Sequence, residues 1–298
     1  MLFGLACGDA LGRPVEFKSS EWITEHHGTL DEMVGDGSHR QPAGTITDDT
    51  QQALRIARSL VENRAFDPDD IAERLVEWYL DDPFDIGMMT AEVLGAIDRG
   101  YSWGDASRMI YSRKREGHNA GNGSAMRVAP LAVAYLHAPD RLIEVSRTAS
   151  EITHYDLRCQ YGCAILNFTI ANCIKGHEDP LGDAIERMPA DCPDELISAL
   201  EPVPDRIDES ELDNGGFVVT TLQAALYHGL TASDAETAIV NAVNMGMDTD
   251  TIGAITGAIA GARHGIDSIP ERWVKGLQGT DEYELDVLSN QLFNLEFQ

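Results

Sequence analysis

Two acidic runs lie far apart in the chain, Thr47-Asp48-Asp49-Thr50 and Asp248-Thr249-Asp250-Thr251. Each precedes a stretch of helical spacing, so each alone reads as a helix cap: Thr and Asp are preferred there, and carboxylates favour the free N–H groups of a first turn. Together they exceed what two caps require. They offer four carboxylates and several hydroxyls, with no thiol or imidazole, and an all-oxygen set selects Mg²⁺, Mn²⁺ or Ca²⁺ over zinc. Four carboxylates packed against one another need cations to neutralise them. Four are also more than one magnesium takes from protein, which points to a two-metal site.

A second group is Gly121-Asn122-Gly123-Ser124, followed by a predicted helix over 124–136. Its glycines let the backbone come close to a ligand, and a helix N-terminus presents N–H groups suited to phosphate. A plain tight turn is the alternative. His154, in Ile152-Thr153-His154-Tyr155, stands at a predicted helix junction. It reads either as a hydrogen-bonding partner for a sugar or base, or as a capping or solvent-facing histidine.

Helices must position these groups, because strand-like alternation is almost absent. The spacing predicts helices at 51–62, 69–80, 89–98, 124–136, 141–152, 157–174, 216–228, 234–245, 250–263 and 282–293. Turn-rich segments separate them, and 20–46 carries no clear helix. The Pro/Asp/Glu-rich 202–216 reads as a surface loop within one all-α domain spanning 1–298. Glycine recurs every fourth residue at Gly4, Gly8, Gly12 and again at Gly253, Gly257, Gly261. A helical glycine costs about 0.8–1 kcal/mol relative to alanine, so six of them predict a direct backbone-to-backbone pairing of the first and next-to-last long helices. That pairing would bring Asp9 and Asp248 into one neighbourhood.

Fifty acidic against 22 basic residues give a net charge of −28, and only four of the basic residues are lysines. Such a surface repels nucleic acid and anionic membranes, so neither is expected as a partner. Acid excess with few lysines also fits work in concentrated salt, where screening shortens self-repulsion. The odd number of cysteines, five, predicts reduced thiols in a cytoplasmic protein, and without a second Cys/His pair at zinc-site spacing they read as buried small side chains. No apolar run reaches the ~18 residues of a membrane span. A monomer is expected.

Taken in order, the motifs resemble those of the ADP-ribosylglycohydrolase family. Gly4-Leu-Ala-Cys-Gly8-Asp9-Ala-Leu-Gly12-Arg-Pro-Val-Glu16-Phe is similar to its opening signature. Thr47-Asp48-Asp49-Thr50, Gly121-Asn-Gly-Ser-Ala-Met126-Arg127, Thr153-His154 and Asp248-Thr-Asp250-Thr251-Ile-Gly253 follow in the family's sequence. The resemblance implies an orthogonal all-α bundle with two Mg²⁺ or Mn²⁺ ions. Thr47, Asp48, Asp49, Asp248, Asp250 and Thr251 would be ligands, and Glu16 and Asp49 would stand at the reacting centre. Gly121, Asn122, Gly123, Ser124 and His154 would hold ADP-ribose, attached to a protein or a small acceptor. Asp85 matches a motif found in some members only. Met247, Phe217 and Thr220 depart from the pattern, the first beside the metals and the others where the leaving group is read. A fold-sharing but silent member, as among lens crystallins, and a metal-dependent phosphohydrolase are the alternatives.

Overall fold

The structure is a computed structural model, and it describes residues 1–115, 117–295 and 297. The helices are α1 (Leu2–Gly12), α2 (Ser20–His27), α3 (Asp48–Asn63), α4 (Pro68–Leu80), α5 (Met88–Asp98), α6 (Trp103–Arg113), α7 (Pro130–Ala134) and α8 (Pro139–Glu151). They continue with α9 (Leu157–Lys175), α10 (Pro180–Glu186), α11 (Asp194–Leu200), α12 (Val218–Thr231), α13 (Ala235–Val243), α14 (Thr249–His264), α15 (Glu271–Gly276) and α16 (Glu282–Phe293). Among the described residues, β structure is limited to isolated bridges. One contiguous apolar cluster runs from Leu2 to Leu295 and takes side chains from nearly every helix.

At the centre α1 packs along α14. Every residue of α1 is buried, as is α14 from Thr249 to Gly261. The two glycine series face each other in antiparallel register. A Cβ on Gly4 would lie 2.0 Å from the Gly257 carbonyl oxygen, and one on Gly8 would lie 2.0 Å from that of Gly253. Such distances are well inside van der Waals contact, so only glycine allows the approach. At the next step the partner of Gly12 is Thr249, whose hydroxyl donates to the Gly12 carbonyl at 2.8 Å.

The predicted helices are found, the one over 282–293 with its expected bounds and the others with shifted ends, apart from the one over 124–136. There the chain makes a 3₁₀ turn at Ala125–Arg127 and then only the five-residue α7. Pro130 has no N–H to continue an i→i−4 ladder. The Arg127 guanidinium is drawn into the interior instead, donating to Gln52 Oε1 and Thr153 Oγ1, each at 2.6 Å. Helices α2, α6, α10, α11 and α15 were not expected. Apart from α6 they are only six to eight residues long and bury one or two side chains each, Ile23 alone in α2, so their apolar spacing spans too few turns for sequence periodicity to register.

Candidate active site

The acidic runs meet because α1 and α14 do. Asp9, buried in α1, accepts from the backbone N–H groups of Thr47 and Thr50 at 3.0–3.1 Å and from the Thr50 hydroxyl. Thr47 adds its own hydroxyl as acceptor for the Asp49 N–H. The start of α3 is therefore capped by Asp9 and Thr47, which leaves the side chains of Asp48 and Asp49 free of that task. Asp248 precedes α14 and makes no side-chain cap bond either. Its Oδ2 accepts from Asn122 Nδ2 at 2.6 Å. Capping thus accounts for Thr47 but not for the carboxylates of Asp48, Asp49 and Asp248.

The carboxylates line a cavity of about 460 Å³ that includes Glu16, Asp48, Asp49, Asp85, Asp248, Asp250 and Thr251. One oxygen each from Glu16, Asp248 and Asp250 lie within 4.8 Å of one another. Burial, reinforced by neighbouring carboxylates, pushes Asp48, Asp49 and Asp250 well above the usual range. Asp49 Oδ1 is buried without a hydrogen-bond partner. Oxygens so crowded and orphaned, with no soft donor among them, form a set that fits hard divalent cations.

Glu16 follows α1 and lies against His39, with Nε2 and Oε2 2.5 Å apart. The same nitrogen is 3.4 Å from Asp85 Oδ2. Burial lifts the Glu16 carboxyl to about 7, against the opposing pull of His39. The loop carrying His39 is anchored by the buried Arg13 guanidinium, which donates to the carbonyls of Val34, Asp36, Gln41 and Pro42. His39 lies in the stretch that periodicity left unassigned, and nothing in its spacing marks it. Asp85 belongs to the cavity more firmly than its motif suggested.

Opposite the carboxylates runs the glycine loop. Asn122 ties it to Asp248, and its N–H donates to the Gly216 carbonyl at 3.1 Å. Asn214 donates to the carbonyls of Gly246 and Asp248, so the Pro-rich 202–216 segment buttresses the second acidic run. The expected helix N-terminus after this loop is absent. The N–H groups of Ala125 and Met126 turn back to the Asn122 carbonyl and are not offered to a ligand. His154 is buried beneath Gly121 and Gly123, and it lines the cavity with them. Thr90, also on the wall, has a buried hydroxyl without a partner; sequence gave no hint of it.

Two expected side chains are not brought to the cavity wall. The Ser124 hydroxyl pairs with Ser150 at 2.8 Å inside the protein. The Thr47 hydroxyl bonds the Asp49 carboxylate at 3.2 Å and stands behind it. Of the three departures, Phe217 and Thr220 are absent from the lining, whereas Met247 is on it. Met247 and Phe17 both adopt left-handed backbone, φ 65° and 64°, and both side chains are exposed. Such conformations cost non-glycine residues of order 1–3 kcal/mol and tend to occur at functional sites. The Phe17 N–H donates to the Met247 carbonyl, and the Met247 N–H to that of Lys18, each at 2.6 Å.

The ADP-ribosylglycohydrolase family model matches residues 1–298. The chain belongs to this family. It is 31% identical to the ADP-ribosyl-[dinitrogen reductase] glycohydrolase of Rhodospirillum rubrum, an alignment covering 95% of this chain and 90% of the relative. Against an ADP-ribosylarginine hydrolase of Serratia proteamaculans it is also 31% identical, over 98% and 77%. A solved structure described as an ADP-ribosylglycohydrolase-related protein complex superposes with a TM-score of 0.82 and 32% identity, covering 99% of this chain and 96% of that one. The protein is thus an ADP-ribosylglycohydrolase, a hydrolase of ADP-ribose linkages with an all-helical fold. No helix among its described residues is long and apolar enough to cross a membrane.

Proposed function

We propose that this glycohydrolase is metal-dependent and that it releases ADP-ribose from an acceptor at the cavity between α3 and α14. The reading rests on the convergence of Glu16, Asp248 and Asp250 oxygens within 4.8 Å beside the buried Asp48 and Asp49. Asp48, Asp49, Asp248, Asp250 and Thr251 would hold two divalent cations, Mg²⁺ or Mn²⁺, with Thr47 bracing Asp49 from behind. Bound there, the cations would supply positive charge to the ribose hydroxyls and to charge developing at the sugar.

The chain's own groups account for the rest. His39 holds one Glu16 oxygen, and the other is left to orient water and take its proton as the water attacks the anomeric carbon. The proton then passes to the departing acceptor, which leaves with it, while the ribose gains a hydroxyl. Asn122 and the loop backbone carry the ADP-ribose, with His154 beneath them. The substrates in the relatives' names make an ADP-ribosylated arginine, on a protein or free, the first acceptor to test.

The deciding measurement is the product formed from such a substrate, after EDTA treatment and again with millimolar Mn²⁺ or Mg²⁺. Free ADP-ribose, appearing only when metal is restored, is the expected result. AMP would identify a phosphohydrolase acting on the pyrophosphate, and binding without turnover would identify a silent relative.

The acid excess supports a second property of the same enzyme, adaptation to concentrated salt. Screening length falls from about 10 Å at 0.1 M to about 3 Å at 1 M, which relieves most repulsion across a surface of net charge −28. The melting temperature should therefore rise strongly between 0.1 M and 2 M KCl, and a flat profile would refute salt adaptation.

A further inference from the structure

A line of buried polar side chains runs behind the cavity from the first acidic run to the glycine loop. Gln52 Nε2 donates to Asp48 Oδ2 at 3.2 Å, and Gln52 Oε1 accepts from Arg127 Nη1 at 2.6 Å. The other guanidinium nitrogen, Nη2, donates to Thr153 Oγ1 at 2.6 Å, and that oxygen is 2.7 Å from His154 Nδ1. Gln52, Arg127 and Thr153 are fully buried. The chain joins α3, the 3₁₀ turn and the junction after α8, three parts that share no local sequence.

Counting protons fixes its direction. A guanidinium only donates, so Gln52 must present its carbonyl oxygen to Arg127 and its NH₂ to the carboxylate. Thr153 Oγ1 likewise accepts from Arg127, and its own proton has one partner within reach, His154 Nδ1. A buried hydroxyl proton left unpaired is costly, so Thr153 donates and Nδ1 accepts. The ring proton then sits on Nε2. That nitrogen lies under Gly121 and Gly123: Cβ atoms there would be 3.5 Å and 3.2 Å from it. Among the described residues it has no hydrogen-bond partner, and the unpartnered Thr90 hydroxyl borders the same glycine, 3.4 Å from a Cβ on Gly123.

We propose that the chain Asp48–Gln52–Arg127–Thr153–His154 locks His154 as its Nε2–H tautomer, making it a fixed donor to an acceptor oxygen of the bound ligand. Arg127 and Thr153 are then positioning residues, acting through His154. The assignment rests on the proposed ADP-ribose cavity for the ligand but not for the tautomer. Burial and the nearby guanidinium also hold His154 down at about 3, so the ring stays neutral and keeps one donor and one acceptor nitrogen at neutral pH. The glycines supply the room. Any side chain at Gly123 would press on the His154 ring.

The tautomer is directly observable by long-range ¹H–¹⁵N NMR of the full chain labelled at histidine, the signal assigned by its loss in His154→Asn. Wild type should show protonated Nε2 and bare Nδ1. Thr153→Val keeps the shape but removes the donor, so it should lose the single tautomer. It should also weaken ADP-ribose binding and raise KM about tenfold, the scale of one hydrogen bond, with kcat changed less. Thr153→Ser should restore both readouts. A wild-type signal with protonated Nδ1 overturns the proposal without any variant, whether or not Thr153→Val folds. An unchanged tautomer in a folded Thr153→Val overturns it as well, and a lost tautomer with unchanged ADP-ribose affinity overturns the ligand contact. Failure of the glycohydrolase reading would show separately, as absent turnover with the NMR pattern intact.

Discussion

Replacing Asp49 or Asp250 by asparagine is expected to abolish ADP-ribose release, by roughly a thousandfold or more, the scale on which a group stabilising only the transition state is missed. The residues lie 201 positions apart and share one buried neighbourhood, where Asp49 raises the proton affinity of Asp250 and Asp248 raises that of both. If both belong to one metal centre, the double variant should lose little more than either single one, because groups acting as a unit are not additive. Stability should move the other way. Both carboxyls are held well above their ordinary range, by burial first and by neighbouring carboxylates next. The metal-free fold therefore binds protons more tightly than the unfolded chain, and its stability falls as pH rises from the ordinary aspartate range toward those raised values. Asparagine removes that penalty. Each metal-free variant should melt above metal-free wild type at neutral pH while losing the stabilisation that Mn²⁺ or Mg²⁺ confers. Loss of a cap would only destabilise, by about 1 kcal/mol, and Asp9 with Thr47 already holds that helix end. Thermal unfolding in EDTA and in metal, alongside turnover, checks both movements. Variants that keep full activity and the wild-type metal shift would put the metal elsewhere.

The second large effect concerns Gly8 and Gly257. Ordinary overpacking costs about 1–3 kcal/mol because side chains shift to make room. Here the obstacle is backbone on both sides: a Cβ on either glycine would fall 2.0 Å from a carbonyl oxygen of the opposing helix. Even alanine must force α1 and α14 apart, and with them Asp9 and the acidic runs. Gly8→Ala and Gly257→Ala should therefore lower the melting temperature by more than about 10 °C or abolish cooperative unfolding, and Leu at either site should prevent folding. Gly104 in α6 is the control, since nothing lies within 4 Å of its Cβ position. Alanine there should be neutral or stabilise by about 0.4–1 kcal/mol. Wild-type melting in the alanine variants at Gly8 and Gly257 would refute the close pairing.

The glycine periodicity was legible because close helix approach leaves no choice of residue, and it correctly joined acidic runs that nothing local connects. The acidic runs themselves were legible as a surplus over capping, and the structure names what caps α3: Thr47 together with Asp9, which the glycine stripes placed near Asp248 but not at the start of that helix. His39 was hidden because loop residues carry no period; it reaches Glu16 through a segment shaped by buried Arg13 and four carbonyls. Ser124 misled because a Gly-Asn-Gly-Ser string says nothing about which way a hydroxyl turns, and here Ser150 takes it. The helix over 124–136 misled for a related reason. Its apolar residues are buried, but Pro130 interrupts the ladder, and the demands of Arg127 override helical spacing.

The pairing of α1 with α14 has a consequence for how the enzyme is made. On the ribosome α1 emerges well before α14, fully apolar apart from Asp9 and with its glycine face bare. Its partner lies roughly 250 residues later, so at ~5–20 residues per second α1 must wait about 12–50 s before it can be covered. Until then Glu16 and Asp9 have no Asp248 or Asp250 beside them, and a nascent chain can neither assemble the acidic cavity nor act on a substrate. Activity arrives only once α14 has been made. The same delay leaves α1 exposed to chaperones, and makes premature termination before α14 yield an inert chain with α1 unpartnered.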